Sequence, residues 1–367
     1  MTFTFGKDFR IHVFGESHGE GIGVVVEGVP PGLPIDEKMI QQELDKRRPG
    51  SSQLVSSRSE KDQVSIRSGV FNGRSTGAPV TLTIPNMDVD STHYEEIRHT
   101  PRPGHADYTA RIKFNQYNDY RGGGTFSGRM TAAFVMAGAL ALEILREQGV
   151  NVLAHVVQLG KVKADQEVSS YEISKNVYQN LVRCADVDSI EKMKKEIAQA
   201  KADGDSVGGI IECRVIGVPV GLGEPLFDSV ESTISHAIFS IPGVKGIEFG
   251  SGFRGSSRRG SENNDSLIVV DGSVGWSKND AGGILGGISN GEPIVFRVAV
   301  KPTPSISAPQ HTVDLNEMKE VSIVTRGRHD PSIAPRAVPV IEALAAVVMV
   351  DLLMRKKSTM HDIRNHN

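Results

Sequence analysis

Short apolar runs and long apolar runs divide this chain between strands and helices. In the first third, Ile11 to Phe14, Ile22 to Val29 and Pro79 to Ile84 are short and separated by glycine-bearing turns, which predicts strands. One helix interrupts them. Asp36 suits an N-cap, Met39, Ile40 and Leu44 fall on one face, and Lys46, Arg47 and Arg48 close the last turn before Pro49 and Gly50. Cations at that end suit the helix dipole whether or not they meet a ligand. From about Ser127 to Glu147 the residues are apolar on nearly every face, and Arg336 to Lys356 repeats the pattern, so both are expected to be interior helices. Asp188 to Ala202 is amphipathic and reads as a surface helix. Two buried helices need covering layers, and strand candidates at Val152 to Val162, Gly209 to Ile216, Ser266 to Val270 and Ile294 to Val300 can supply them. These elements do not alternate regularly, so the class is α+β. No repeat or linker divides the sequence, and residues 1–367 are expected to form one unit, with the lysine-rich segment 188–204 as the alternative boundary.

Composition narrows the function classes. The 367 residues are 38% hydrophobic and 23% charged, enough to bury a large core without metal or disulfide support. A formal charge of -3 argues against a general nucleic-acid or acidic-membrane binder, so any cationic site must be local. Arginines beside glycines, prolines and small polar residues fit that description. Cys184 and Cys213 form neither a disulfide framework nor a metal-ligand spacing and are expected to be reduced structural thiols of a cytoplasmic protein. The N-terminus has no uninterrupted apolar core, so no export is expected. The apolar stretch Ala132 to Leu145 is too short to cross a bilayer, and Ala337 to Met354 carries Glu342 and Asp351, so neither is expected to span a membrane.

Candidate chemistry gathers on loops. Gly15 to Gly21 joins two strand-like runs and carries Ser17 and His18; the alternative is a hairpin whose polar groups bond locally. Its glycines lack dinucleotide spacing and precede a strand. Thr100 to Asp107 is stiffened by two prolines and presents Arg102, His105 and Asp107, unless an Asp-His hydrogen bond merely closes a turn. Arg121, the glycines 122–124 and Arg129 bracket a loop that runs into a helix N-terminus, where backbone amides suit a phosphate. Weaker candidates follow at Arg258 to Asn264, Ala281 to Gly287 and Lys301 to Ser305. At Arg326 to Pro331, Asp330 is a candidate base.

Taken in order and spacing, these motifs resemble the chorismate synthase family along nearly the whole chain. The resemblance rests on the Gly15–Gly19 loop, the run from Arg102 to Thr109, the Arg121–Arg129 loop, Ala281 to Ser289, Lys301-Pro302-Thr303 and Gly327 to Pro331. It implies an anti-1,4-elimination of phosphate from 5-enolpyruvylshikimate 3-phosphate that needs reduced flavin mononucleotide (FMN). By the same resemblance His18 serves the leaving phosphate as general acid, His105 protonates or holds the flavin, and Asp330 assists at flavin N5. Ser17, Arg48, Arg58, Arg129 and Arg328 are assigned to substrate. Thr125, Phe126, Ser127, Asn263, Gly286, Lys301, Pro302, Thr303, Pro304, Ser305 and Arg328 are assigned to flavin. Gln53 and Thr125 stand where many members of the family have arginine. The implied fold is a single domain with long helices sandwiched between two antiparallel β-sheets, assembled as a homotetramer. NADPH or a separate flavin reductase would supply the reductant. Two competing readings are a flavin oxidoreductase, which would consume reductant at each turnover, and an anion-binding regulator, which would tolerate loss of His18 and His105.

Overall fold

The structure is a computed structural model that describes residues 3–48, 62–87, 94–95, 98–164, 168–325 and 330–364, the last helix with side chains to Lys356. Strict alternation builds its first sheet. In β2 (Arg10–Gly15) Ile11 and Val13 point inward and Arg10 and His12 outward, and in β7 (Val80–Pro85) Val80, Leu82 and Ile84 are buried. Together with β1 (Thr4–Phe5), β3 (Gly21–Glu27) and β4 (Ser65–Ser68) they form an antiparallel sheet of order β1-β2-β3-β7-β4. A small hairpin, β5 (Val70–Phe71) and β6 (Arg74–Ser75), turns through Asn72 and Gly73, both at positive φ.

A second antiparallel sheet comes from later in the chain. It has the order β11-β16-β10-β8-β9 and comprises β8 (Asn151–Leu159), β9 (Val162–Lys163), β10 (Gly209–Ile216), β11 (Val244–Phe249) and β16 (Ile294–Val300). Three hairpins flank it in sequence: β12 (Leu267–Val270) with β13 (Ser273–Trp276), β14 (Ile284–Leu285) with β15 (Ile288–Ser289), and β17 (Gln310–Asp314) with β18 (Lys319–Ile323).

The inner faces of the two sheets close over helices. Helix α1 (Glu37–Arg47) begins where the Asp36 side chain accepts the Met39 N–H at 2.7 Å. The others are α2 (Asp107–Lys113), α3 (Thr131–Glu147), α4 (Ser170–Asn176), α5 (Val187–Ala202), α6 (Val230–Ile238) and α7 (Ala334–Arg364), with further single turns at Gly252–Gly255 and Gly260–Asn263. Helix α3 packs on β2, β3 and β7, while α7 packs on β8 and β10 and against α3. The α+β sandwich expected from the sequence is therefore observed. Both interior helices are long and apolar enough to cross a membrane, yet their apolar windows are 78% and 89% buried inside the protein.

Their small residues have a specific use. A Cβ added at Gly138 would lie 2.3 Å from Ala343 Cβ, so the two helix backbones meet at that glycine. The carboxylates of α7 act as internal acceptors. Asp351 takes the N–H groups of Lys7, Asp8 and Phe9 at 2.8, 2.7 and 3.0 Å, and Glu342 takes the Ala154 N–H at 2.8 Å and the Tyr178 hydroxyl. Burial pushes the Glu342 carboxyl up to about 7. Cys184 and Cys213 are buried free thiols, and burial raises both.

Candidate active site

The two histidines, distant in sequence, lie against consecutive glycines. The β2–β3 loop carries Ser17 and His18, and the Ser17 N–H donates to Gly124 O at 3.3 Å. Gly122, Gly123 and Gly124 all have positive φ, and a Cβ at Gly122 would fall 2.2 Å from His18 Cε1 and Nδ1. A Cβ at Gly123 would fall 3.2 Å from His105 Cε1. Only hydrogen fits at Gly122, and at Gly123 a methyl would press on the His105 ring and meet a φ of +86 that favours glycine. His18 is 7% exposed, packs on the Tyr94 ring at 5.1 Å, and its buried Nδ1 has no hydrogen-bond partner among the described residues.

Asp107 holds the second imidazole. Its Oδ1 is 2.6 Å from His105 Nδ1, and its two oxygens take Arg102 Nε and Nη2 at 2.8 and 2.9 Å. Burial opposes the charge of Asp107, but the hydrogen bonds from Arg102 and His105 outweigh it, so its carboxyl sits far below the usual range. With Nδ1 committed to Asp107, the other ring nitrogen, Nε2, lies 3.3 Å from Arg102 Nη2. Arg102 Nη1 also donates to Ser305 Oγ at 3.2 Å, and Lys301 Nζ donates to Gly104 O. The segment 301–305 thus runs beside the His105 loop, and the buried Thr303 Oγ1 has no partner among the described residues.

A second network lies across the His18 loop. Arg47 Nη2 donates to Asp62 Oδ2 at 2.9 Å, Arg129 Nη1 donates to Asp62 Oδ1, and all three side chains are at most 5% exposed. Burial and the neighbouring Arg336 lower Arg47 to about 10 against the pull of Asp62. Asp62 is itself lowered, because the charges of Arg47 and Arg129 overcome its burial. Asn86 joins the networks: its Nδ2 donates to Glu16 O and Gly19 O at 3.0 and 2.9 Å, and its Oδ1 accepts Arg129 Nε at 3.0 Å. Arg336 donates to Arg47 O at 3.3 Å and to Asp330 Oδ2 at 2.5 Å.

Ser17, His18, His105, Ser127, Arg129, Asp330 and the 301–305 segment therefore belong to one connected region. Ser127 Oγ accepts the Arg129 N–H at 3.2 Å, Thr125 lies in the same loop, and Phe126 is 38% exposed and packs on Phe114. Other expected residues are placed differently. Arg48 turns to the surface and pairs with Asp45 at 2.9 Å, whereas its neighbour Arg47 enters the network. Arg121 is clasped by Asp119, and two of the glycines expected to cradle a phosphate receive imidazoles.

Asn263 and Gly286 stand apart from Lys301. The Lys301 N–H donates to Gly243 O at one end of β16. At the other end the Val295 N–H donates to Gly282 O, in the loop that leads to Gly286. Asn263 meets Ser251 Oγ at 3.0 Å, just beyond Phe249, the partner of Phe296. At roughly 3.3 Å per residue, β16 keeps the two ends about 20 Å apart. Arg58, Arg328 and Gln53 lie outside the described residues.

Sequence reasoning missed Asp62 and Asn86; it counted Arg47 and Arg336 among the arginines set for anion recognition but gave them no partner. The one local signal was Asn86, the first polar residue after an alternating strand. An imidazole pair on a glycine strip, joined through buried ion pairs to clustered guanidinium groups, defines an enzyme site suited to moving a proton on an anionic substrate.

Comparison with known proteins gives that class its name. The chorismate synthase family model matches residues 9–354. A chorismate synthase of Korarchaeum cryptofilum is 52% identical over 352 residues, covering 96% of this chain and 97% of its own. One from Methanosarcina mazei is 50% identical, with 96% of each chain covered. A crystal structure of chorismate synthase superposes with a TM-score of 0.76 at 29% identity, covering 98% of both chains. This chain belongs to the chorismate synthase family.

Proposed function

We propose that the protein is a carbon-oxygen lyase that converts 5-enolpyruvylshikimate 3-phosphate to chorismate and phosphate by anti-1,4-elimination, with reduced FMN bound beside the substrate. The observation that carries this reading is the buried His18 Nδ1, without a partner among the described residues, on the same glycine strip as His105. A buried ring nitrogen without a partner costs free energy, which a ligand oxygen would recover. The substrate brings a phosphate and two carboxylates, and fork-shaped guanidinium groups are their natural partners. Arg129 anchors the substrate, and His18 delivers a proton to the departing phosphate oxygen. An anionic substrate favours the protonated imidazole, the form that task requires.

The residues present fit a flavin. Lys301, Ser305 and the buried Thr303 hydroxyl offer polar contacts for it. His105 would hold it through Nε2 and Asp330 would stand at its N5. When bound, reduced FMN supplies electron density that the side chains cannot, with no net redox change over the reaction. Arg48, Arg58, Arg328, Asn263 and Gly286 keep their assignments to substrate or flavin as expectations from the family.

NADPH or a separate flavin reductase would deliver the reductant. The protein is proposed to be cytoplasmic and a homotetramer. The apolar β12–β13 hairpin supports assembly, with Leu267, Val269 and Val274 more than 60% exposed. An oxygen-free assay with chemically reduced FMN tests the function. Phosphate and product should appear in equal amounts without loss of reductant. Reductant consumed at each turnover would identify an oxidoreductase instead, and repeating the assay with oxidised FMN plus NADPH shows whether the protein reduces its own flavin.

A further inference from the structure

We infer that Asp62 is the positioning residue of the substrate site: its carboxylate fixes the guanidinium of Arg129 in the orientation that meets the substrate anion, and Asn86 fixes the same group relative to His18. This inference rests on the proposed role of Arg129. Asp62 spans Arg129 and Arg47 with one oxygen each, in a setting where all three side chains are almost fully buried. Arg129 is gripped a second time through Nε, by Asn86 Oδ1. A planar guanidinium held at both Nη1 and Nε can neither rotate nor slide, so its orientation is set before a ligand arrives. Asn86 passes that constraint on, because its amide nitrogen donates to the two carbonyls, Glu16 and Gly19, that bracket Ser17 and His18.

Charge gives Asp62 a second reason to be there. Arg336 and Arg129 both depress Arg47 electrostatically, and Asp62 is the carboxylate that opposes them. Without it, like charges would drive the guanidinium groups apart before the substrate entered. The anchor is firm on its C-terminal side. The Val64 N–H donates to Gln41 Oε1 at 3.1 Å and the Ile66 N–H to Glu37 Oε1 at 3.0 Å, tying the segment after Asp62 to α1. The opposite role for Asp62 is a stand-in for a substrate carboxylate, displaced on binding. The double grip on Arg129 favours positioning, and the two roles predict opposite changes in KM.

The test uses the full-length enzyme, with 5-enolpyruvylshikimate 3-phosphate and reduced FMN under nitrogen. Asp62→Asn should raise the substrate KM about tenfold or more, with a smaller effect on kcat and little change in flavin affinity; Asp62→Glu should recover part of the loss. Asn86→Ala should raise KM and also lower kcat, because it loosens the His18 loop. A KM for Asp62→Asn that is unchanged or lower than wild type would overturn the inference. If Asp62→Asn fails to fold, the Asp62→Asn/Arg47→Gln double variant removes one charge of each sign. Its KM should still rise, and a wild-type KM would overturn the inference. Arg129→Lys separates the two levels of argument. An unchanged KM in that variant sinks the role of Arg129 itself, whereas a raised KM beside a silent Asp62→Asn sinks only the role of Asp62.

Discussion

Gly122→Ala should silence the enzyme while leaving most of its stability. The added methyl would sit 2.2 Å from His18 Cε1 and Nδ1 and 2.7 Å from Ser17 Oγ. Carbon contacts are comfortable only at about 3.5 Å or more, so the imidazole must retreat by about 1.3 Å. A displacement of about 1 Å in a catalytic group costs on the order of 100-fold in rate. Gly122 also has φ +58, where an L-residue costs about 1–2 kcal/mol, so some stability goes as well. Gly73→Ala separates the two effects. Gly73 has φ +72, but nothing lies within 4 Å of its built Cβ, so that variant carries the strain without the clash. Gly73→Ala should lose about 1–2 kcal/mol in denaturant unfolding and Gly122→Ala at least as much. Only Gly122→Ala should lose about 100-fold in anaerobic phosphate release. Turnover of Gly122→Ala within about threefold of wild type, or equal inactivity of Gly73→Ala, would refute the claim that this glycine exists to admit the His18 ring.

Three further outcomes follow from the packing and the buried charges. Gly138→Val should destabilise the protein by about 1–3 kcal/mol or more by forcing α3 away from α7, and Ala343→Gly in the same chain should restore part of that, as read from a double-mutant cycle of chemical denaturation. Asp107→Asn leaves the buried Arg102 without its carboxylate, and a loss of about 3 kcal/mol in unfolding free energy is expected. Because the folded Asp107 titrates below its ordinary 3.8, the wild type holds this contribution above that pH and loses it on further acidification, and the variant should lack that acid-side fall. For Glu342 the sign is opposite. The folded carboxyl keeps its proton to about 7 while the unfolded one releases it near 4.5, so wild-type stability should decline between those pH values. Glu342→Gln should flatten that decline in melting temperature against pH, and identical slopes in the two proteins would count against it.

Most of the scaffold was readable because its signals are local. Asp36 caps α1, the apolar runs gave α3 and the core of α7, and the expected bounds of β10 and β16 coincide with the observed ones. The site was readable only as a set of words. His18 and His105 could be nominated from their loops, but their meeting at Gly122 and Gly123 depends on a crossing of distant segments that no periodicity reports. The choice between Arg47 and Arg48 shows the same limit. Both close the same helix turn, and only the rotation of α1 against α3 decides which one reaches Asp62 and which one faces water. Asp62 and Asn86 were passed over for a related reason, since a polar residue at the end of a strand looks like any other turn until its partner is known.

The placement of α7 has a consequence for how the protein comes into being. The helix that fills the middle of the sandwich is made after both sheets, and its Asp351 must then find the amides of residues 7–9, more than 340 positions away. Until then the second sheet leaves the ribosome with the face that α7 will cover still open, whereas α3 can already lie on the first. Closure should therefore arrive late, as docking of the final helix between α3 and the second sheet.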